Sequence, residues 1–279
     1  MQMRCAWKEL LTILPPRIRQ NLTEADRKNL NEIRFRTGNP IELISGRTCR
    51  TMDEHVCGDD LEYIIQHGSR FSPWSAATLA QGYLTGPGGH RIGVCGHAVW
   101  REGAVTGFQT VRSLSVRVAR DFPGISRGID PSDKSILIIG PPGWGKTTLL
   151  RDMIRSISEL GKNVSVVDER GEIFPQEAFD TGTHTDILSG CGKETGIEMV
   201  LRTMTPDVIA VDEITSESDT KALIQAGWCG VKVIGTAHAA SARDLANRKV
   251  YRPIVESGIF DQLIVLRQDR TWGMERMVL

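Results

Sequence analysis

A glycine-rich stretch that ends in lysine and threonine is the strongest chemical signal in the sequence. Residues 140–147 read GPPGWGKT, which fits the pattern GxxxxGK[ST] between an apolar run and a helical pattern. Glycines let the backbone curl so that several N–H groups point inward, and the start of the following helix adds its positive dipole end. We therefore expect this loop to bind the phosphates of a nucleotide. The expected binding residues are Gly140, Pro141, Pro142, Gly143, Trp144, Gly145, Lys146, Thr147 and Thr148.

Two side chains of this loop have specific expected roles. Lys146 is expected to reach the β- and γ-phosphates, and the Thr147 hydroxyl is expected to ligate Mg²⁺. A second stretch, GCGK at residues 190–193, resembles the end of such a loop. It lacks the first glycine, since Ile187 stands there, and Glu194 replaces the hydroxyl residue. We interpret that stretch as a turn.

An acidic pair follows an apolar run in DVIAVDE, residues 207–213. Asp212 is expected to hold the water shell of Mg²⁺ as a second metal-site residue. Glu213 beside it can orient or deprotonate a water molecule, which favours hydrolysis over transfer to another substrate. A pair of surface acids after a strand is the alternative.

A second group of acids follows the run NVSVVDERGEIF, residues 163–174. Asp168, Glu169 and Glu172 can contact Mg²⁺ through water or position the attacking water. The alternative is a set of surface ion pairs, which contribute little to stability. The sequence leaves open which of these acids matters.

A histidine stands at the end of the apolar run VKVIGTAH, residues 231–238. We expect His238 at the same sheet edge as Lys146, Asp168 and Asp212, where its imidazole can donate a hydrogen bond to the terminal phosphate. A polar residue with an ordinary structural partner is the alternative.

The elements that must position these residues alternate between strands and helices. Strands are predicted at 135–140, 163–169, 207–213 and 231–238, and a helix at 146–161. This alternation predicts an α/β fold with a mostly parallel sheet covered on both faces, and such sheets bind ligands at the carboxyl ends of their strands. The last residues, DQLIVLRQDRTWGMERMVL, predict a closing hairpin.

The first half of the chain does not show this alternation of strands and helices. It predicts a short helix, a strand at 32–36, strands at 91–99 and 105–112 around a turn at 101–103, and a half-buried strand at 113–119. We therefore predict an α+β domain at 1–122, a Pro- and Gly-rich linker at 123–134, and the α/β domain at 135–279.

Composition excludes several classes of protein. The net charge is zero, although residues 1–128 hold 17 Lys and Arg against 12 Asp and Glu. The zero net charge argues against a whole-surface nucleic-acid binder, and we expect no direct nucleic-acid partner. The apolar runs are too short to span a bilayer, and the sequence predicts a soluble, intracellular protein. The six cysteines lack metal-site spacing and are expected to be reduced thiols, most of them buried.

Four of these motifs, taken in order, resemble a known family. GPPGWGKTTLL, VVDERGEI, the PDVIAVDEI stretch and VIGTAHAASARDL resemble the Walker A, Asp box, Walker B and His box of type II and type IV secretion ATPases. With RIGVCGHAV and SVRVAR from the first domain, the chain is more closely similar to the AA family of stage III sporulation proteins. The resemblance implies a RecA-like P-loop NTPase fold.

The resemblance also implies an activity and partners. It implies an ATPase that uses ATP and Mg²⁺, assembles as a homo-hexamer and contacts membrane-embedded channel proteins of the same sporulation system. Such a protein would lie in the mother-cell cytoplasm, peripheral to the membrane, and would drive or assemble a channel to the forespore. To the catalytic residues predicted from the motifs themselves, Lys146, Glu169, Glu213 and His238, the resemblance adds basic residues of the first domain that reach the phosphates. Arg91, Arg112 and Arg117 are the candidates. Arg202 matches the family's LR…PD pattern, and the resemblance implies that it links subunits.

Two other functions stay open at this point. A RecA-like or helicase-like ATPase acting on nucleic acid is compatible with the basic first half. A nucleotide-gated adaptor without turnover is compatible with the phosphate loop, although Glu213 argues against it.

Overall fold

Residues 4–70, 75–175, 179–269 and 271–277 are described by the structure, which is a computed structural model. They form two compact units. The N-terminal unit holds residues 4–121 and Pro175, and the C-terminal unit holds residues 122–174 and 179–277.

The N-terminal unit is an α+β arrangement of eight strands, five helices and a 3₁₀ turn at Pro87–Gly89 among its described residues. The strands are β1 Arg4–Cys5, β2 Glu32–Arg36, β3 Pro40–Ser45, β4 Thr48–His55, β5 Tyr83–Thr85, β6 Arg91–Arg101, β7 Ala104–Arg117 and β8 Arg120–Asp121. The helices are α1 Trp7–Ile13, α2 Pro16–Arg19, α3 Glu24–Asn29, α4 Gly58–Ser69 and α5 Ser75–Ala80.

The antiparallel sheet of this unit runs in the order β4-β3-β2-β7-β6-β5, and β1 pairs separately with β8. Alternate residues of β2, among them Ile33 and Phe35, are fully buried and pack with Leu10 and Ile13 of α1 in one core. This alternation is the period-two pattern of a strand with one covered face. Thr23 and Asp26 cap α3 reciprocally, which stabilises its first turn.

The long hairpin of β6 and β7 differs in detail from the sequence prediction. Its turn is Glu102-Gly103, both with positive φ, as a two-residue hairpin loop requires. Residues 113–119 do not form a separate strand, because β7 continues from Ala104 to Arg117. Arg112 is skipped by the pairing, which passes from Cys95–Ser113 to Gly96–Val111, so this arginine lies at a β-bulge.

A fully buried histidine connects distant parts of the N-terminal unit. The Nδ1 atom of His90 accepts a hydrogen bond from the Ala119 N–H at 3.0 Å. Its Nε2 atom lies 2.8 Å from the Ala6 carbonyl oxygen and therefore donates. The ring is thus neutral, and burial lowers the pKa of His90, with Glu9 opposing the effect and Arg120 adding to it.

His90 should make the N-terminal unit sensitive to acid. The folded-state pKa of His90 is lowered, so the unfolded chain binds a proton that the folded chain resists. We expect the unfolding midpoint to fall as the pH decreases below about 6.5, the unperturbed pKa of histidine, and to show no His90 contribution above it. Thermal unfolding between pH 5 and 8 measures this. His90→Gln should make the unfolding midpoint less dependent on pH. His97→Gln, on the exposed part of the hairpin, should not change that dependence. If wild type and His90→Gln show the same pH dependence, His90 is not the source of the acid sensitivity.

The C-terminal unit alternates strands and helices. Its described strands are β9 Ile136–Ile139, β10 Val164–Asp168, β11 Thr185–Ser189, β12 Val208–Val211, β13 Lys232–Ala237, β14 Gln262–Leu266 and β15 Trp272–Arg276. Its described helices are α6 Lys146–Glu159, α7 Lys193–Thr203, α8 Glu217–Trp228, α9 Ala242–Asn247 and α10 Arg252–Ser257.

The sheet of this unit runs in the order β11-β10-β12-β13-β9-β14-β15. Among these described strands only the last pair, β14 and β15, is antiparallel, as the predicted closing hairpin requires. Leu137 and Ile139 of β9 pack in one core with residues of α7 to α10, and α6 contacts the other face. The predicted α/β class with a mostly parallel sheet is confirmed. The edge strand β11 is an element that the sequence analysis did not predict.

The Pro- and Gly-rich segment 123–134 belongs to the C-terminal unit. The carboxylate of Asp152, on α6, accepts hydrogen bonds from the backbone N–H groups of Gly124 at 2.8 Å and Ser126 at 2.7 Å. Backbone and side-chain donors hold the pKa of Asp152 below its usual range despite its burial. The segment interpreted as a linker is therefore held against α6.

The cysteines are more exposed than the sequence predicts. Cys49, Cys57, Cys95 and Cys229 are exposed, so the expectation that most cysteines are buried is wrong. These four lie at strand or helix ends and in the β6–β7 hairpin, where little covers them.

Over the described ranges, helices are either too short or too polar to cross a membrane.

Candidate functional site

The carboxyl ends of three neighbouring strands form the centre of the candidate site. Strand β13 lies between β12 and β9, parallel to both. Their ends therefore lead side by side into the Asp212-Glu213 pair, into His238 and into the glycine-rich loop. This is the edge at which parallel α/β sheets bind ligands.

The loop 140–145 is open. Gly143 and Gly145 have φ values of 77° and 98°, a conformation that favours glycine. A Cβ atom placed on either glycine would meet nothing within 4 Å, so the space beside the loop is free. Helix α6 begins directly after it at Lys146. Trp144 lies within the loop and is half-buried.

The ammonium group of Lys146 is buried at the base of this loop, with 6% of the residue exposed. Its Nζ donates to the carbonyl oxygens of Gly140 at 2.9 Å and Pro141 at 3.1 Å, and lies 3.0 Å from Nδ1 of His238. These three acceptors match the three N–H donors of an ammonium group. Burial lowers the pKa of Lys146, and the nearby carboxylates of Asp212 and Glu213 oppose that effect.

Two hydroxyl groups hold the carboxylate of Asp212. Thr147 Oγ1 donates to Oδ2 at 2.6 Å, and Thr236 Oγ1 donates to Oδ1 at 2.5 Å. Thr236 also accepts the Glu213 backbone N–H at 2.8 Å. Thr236 was not predicted, because its only signal in the sequence is a hydroxyl within an apolar run.

Glu213 has a φ of 52°, which is unusual for a residue other than glycine. The chain keeps this conformation because Ile214 N–H donates to the Thr236 carbonyl oxygen at 2.9 Å, just beyond the end of β12. Non-glycine residues in this conformation cluster at functional sites. The Glu213 carboxylate lies 2.8 Å from His238 Nε2 and 3.4 Å from Arg170 Nη1.

His238 joins Lys146 to Glu213. Since an ammonium group only donates, Nδ1 of His238 accepts from Lys146, and Nε2–H then donates to Glu213. The network therefore assigns the neutral Nε2–H tautomer. The backbone N–H of His238 lies 3.4 Å from the Tyr251 hydroxyl, which donates to the Ile214 carbonyl oxygen at 3.0 Å. The lysine, the histidine and the acid thus form one connected chain.

Asp168 has a backbone role. It is 2% exposed, and its two oxygens accept N–H groups from Glu172 at 2.8 Å, Ile173 at 2.9 Å and Phe174 at 3.1 Å. Burial raises the pKa of Asp168, and the Asp212 carboxylate adds to this effect, while the N–H groups of Phe174 and Ile173 and the charge of Arg151 oppose it. The carboxylate organises the turn that follows β10.

Removing the Asp168 carboxylate should cost stability. Asp168→Ala leaves three N–H groups without their acceptor, and each unsatisfied buried donor costs about 1 kcal/mol or more. We expect the free energy of unfolding to fall by about 3 kcal/mol or more in urea titrations. Asp168→Asn keeps one acceptor oxygen and should lose less; equal losses for the two variants would contradict this role.

The other acids of this turn border a cavity. Its lining among the described residues consists of Val167, Asp168, Glu169, Arg170, Glu172, Lys193, Asp212, Glu213 and Thr215. Glu169, a predicted catalytic residue, lies with its Oε2 atom 2.5 Å from Nζ of Lys193. Lys193 belongs to the GCGK stretch that the sequence analysis interpreted as a turn.

The arginine candidates are distributed over both units. Arg91 and Arg117 belong to the N-terminal unit, where they are direct partners across β6 and β7. Arg91 stacks its guanidinium 4.5 Å from the centre of the Tyr83 ring, and Arg117 is exposed. Arg202 is exposed on α7 and pairs with Glu198 at 3.4 Å. Their suggested parts in catalysis and assembly stay predictions.

Comparison with solved structures defines the class of fold. The ATPase DotB of Legionella pneumophila superposes with a TM-score of 0.62 at 16% identity, covering 94% of this chain and 80% of that one. The pilus retraction motor PilT, solved with bound ADP, gives a TM-score of 0.60 at 16% identity, covering 88% and 76%. The chain therefore has the P-loop fold of these two proteins.

Comparison of sequences narrows the class to one family. The model of the family "Sporulation stage III, protein AA" matches residues 5–278. Stage III sporulation protein AA of Bacillus subtilis (strain 168) is 35% identical over 285 residues, which cover 95% of this chain and 92% of that protein. The chain belongs to the sporulation stage III protein AA family, and the resemblance drawn from its motifs is confirmed.

Proposed function

We propose that this protein is an ATP hydrolase that works with Mg²⁺. The observation that carries the proposal is the connected network at one sheet edge, in which Lys146, His238 and Glu213 form a chain beside the Thr147–Asp212 pair. A phosphate cradle, a hydroxyl–carboxylate pair and an acid able to activate water are the parts that nucleotide hydrolysis needs.

The residues of the loop fit a magnesium nucleotide. The free space beside Gly143 and Gly145 and the start of α6 suit phosphate oxygens. Thr147 and Asp212 are oxygen donors 2.6 Å apart, the type of ligand that Mg²⁺ prefers. Bound there, Mg²⁺ would neutralise negative charge on the phosphates.

The mechanism assigns a task to each side chain. Lys146 exchanges its carbonyl and imidazole partners for phosphate oxygens when the loop is filled. Glu213 accepts the proton of the attacking water, and His238, which donates to Glu213, holds that carboxylate in place. Release of Lys146 frees Nδ1 of His238, so occupancy of the loop changes the hydrogen bonds of the residue that orients the base. Glu169, Arg91 and Arg117 are proposed to assist.

The family and the fold support a proposal for the cellular role. We propose that hydrolysis drives or assembles a secretion-like sporulation channel between mother cell and forespore. The protein would act as a homo-hexamer in the mother-cell cytoplasm, at the membrane, with channel proteins as partners. Support comes from the family of sporulation proteins and from the motor and ATPase named among structures of the same fold.

Phosphate release by the purified protein tests the proposal. We expect Mg²⁺-dependent release from ATP, and a mass increase towards a ring with a non-hydrolysable ATP analogue. Tight ATP binding without release would favour the adaptor. Stimulation by DNA or RNA, lost steeply with added salt, would favour the nucleic-acid ATPase.

A further inference from the structure

Lys193, the lysine of the GCGK turn, borders the cavity of the candidate site, although none of the sequence motifs gives it a role. Strand β11 pairs with β10 in parallel, with Ser189 opposite Asp168. The turn 190–192 therefore leaves the sheet at the same edge as the other site residues. Helix α7 starts at its end, at Lys193.

Close packing of α7 brings this lysine over the sheet edge. A Cβ atom on Gly196 would lie 2.5 Å from Val167 Cγ1 and 3.1 Å from Cys191 Sγ, so only glycine allows this approach. Gly196 follows Lys193 by three residues, on the same face of the helix. The Lys193 side chain is consequently 6% exposed, with its ammonium against Glu169.

The positive charge of Lys193 is unfavourable for the helix that it begins. A cation in the first turn opposes the helix dipole, and α7 would be more stable with an uncharged or acidic residue there. The surrounding cavity supplies the reason for a cation. Among the described lining residues, five carboxylates face two cations, Lys193 and Arg170. Arg170 is 56% exposed and bonds Glu213, which leaves Lys193 as the partner of Glu169.

We propose that Lys193 is the positioning residue for Glu169: it holds this carboxylate against one wall of the cavity, oriented towards Asp212 and Glu213. This inference rests on the proposed ATP hydrolysis. Lys193 acts through Glu169, and the ammonium offsets the repulsion that the neighbouring acids exert on it. Without Lys193, the Glu169 carboxylate would be free to turn into solvent, because 40% of the Glu169 side chain is already exposed.

Steady-state hydrolysis by four variants tests the assignment. Lys193→Met and Glu169→Gln should each lower kcat about 10- to 100-fold, because a misplacement of about 1 Å at a reacting centre has that effect. KM for ATP should change by less than about threefold, because neither residue binds the nucleotide in this scheme. The double variant should be no slower than the slower single variant, since the two act as one unit. Lys193→Arg should recover part of the lost rate.

Three results would overturn the assignment. They are an unchanged kcat in Lys193→Met, multiplied effects in the double variant, and a rise in KM alone, which would mean that Lys193 contacts the nucleotide itself. Lys162→Met is the matched control, because it breaks a surface pair with Asp133. It should leave both constants unchanged.

Thermal unfolding without nucleotide separates this proposal from the proposed activity. Glu169→Gln should lower the midpoint by leaving a buried ammonium unpaired, and adding Lys193→Met should raise it again. If the wild-type protein releases no more phosphate than Lys146→Ala does, the proposed function is refuted. Additive midpoint changes would refute the Lys193–Glu169 unit whatever the activity.

Discussion

Glu213→Gln is expected to abolish nearly all ATP hydrolysis and to leave ATP binding intact. Positioned proton transfer contributes about 10²- to 10⁴-fold to rates, and the amide cannot take a proton from water at neutral pH. The amide oxygen of the introduced glutamine can still accept the hydrogen bond that His238 Nε2 donates over 2.8 Å in the wild type. The local geometry should therefore survive. Phosphate release should fall by that factor, while titration with a fluorescent ATP analogue should give a nearly unchanged Kd.

The control for this prediction is a second glutamate close by in the sequence. Glu217 begins α8 and forms an exposed pair with Lys249 at 3.1 Å. Glu217→Gln should keep full activity. Full activity of Glu213→Gln would exclude Glu213 as the base, and equal loss of affinity and rate would assign it to binding instead.

The centre of the site was predictable because strand ends are visible in the sequence. In DVIAVDE the buried apolar residues stop at Val211, and polar residues begin at once. The same change from apolar to polar marks His238, and helical spacing marks α6 after the loop. Parallel strands bring all such ends to one edge, so four separate motifs predicted one pocket. Distances of 2.6 to 3.0 Å between Thr147 and Asp212 and between Lys146 and His238 agree with that expectation.

Contacts that depend on strand neighbours were not predictable. Lys193 bonds Glu169, 24 residues away, only because β11 joins the sheet beside β10. The polar, half-exposed sequence of β11 resembles a loop as much as an edge strand. Thr236 was missed for another reason. A threonine inside a strand is a common β-branched strand former, and only the folded arrangement of β12 beside β13 shows that its hydroxyl holds Asp212.

Asp168 shows how a motif can combine two roles. The sequence places it with Glu169 and Glu172 as one acidic group. All three border the cavity, but three backbone N–H groups take up the oxygens of Asp168, whereas Glu169 bonds the ammonium of Lys193. Spacing alone does not distinguish a carboxylate that shapes a turn from one that faces a ligand.

Lys146→Ala is expected to weaken ATP binding itself, in contrast to Glu213→Gln. The ammonium would bind phosphate oxygens, and the loss of one charge-assisted hydrogen bond costs about 1.5–3 kcal/mol. Since about 1.4 kcal/mol corresponds to a factor of ten, we expect Kd to rise about 10- to 100-fold, and phosphate release at subsaturating ATP to be lost. The fluorescent-analogue titration used for Glu213→Gln measures the first effect directly.

Two further variants make the Lys146 result specific. Lys146→Arg keeps the positive charge but replaces the compact ammonium with a planar guanidinium. In the wild type three acceptors surround the ammonium, namely two carbonyl oxygens and His238 Nδ1. A planar group does not fit that arrangement, so Lys146→Arg should recover little ATP binding. Lys134→Ala removes an exposed lysine paired with Asp130 and should behave as wild type. Wild-type affinity in Lys146→Ala would place the nucleotide elsewhere. Weakened binding with an unchanged saturated rate would confine Lys146 to ground-state binding, and its link to His238 would then have no part in catalysis.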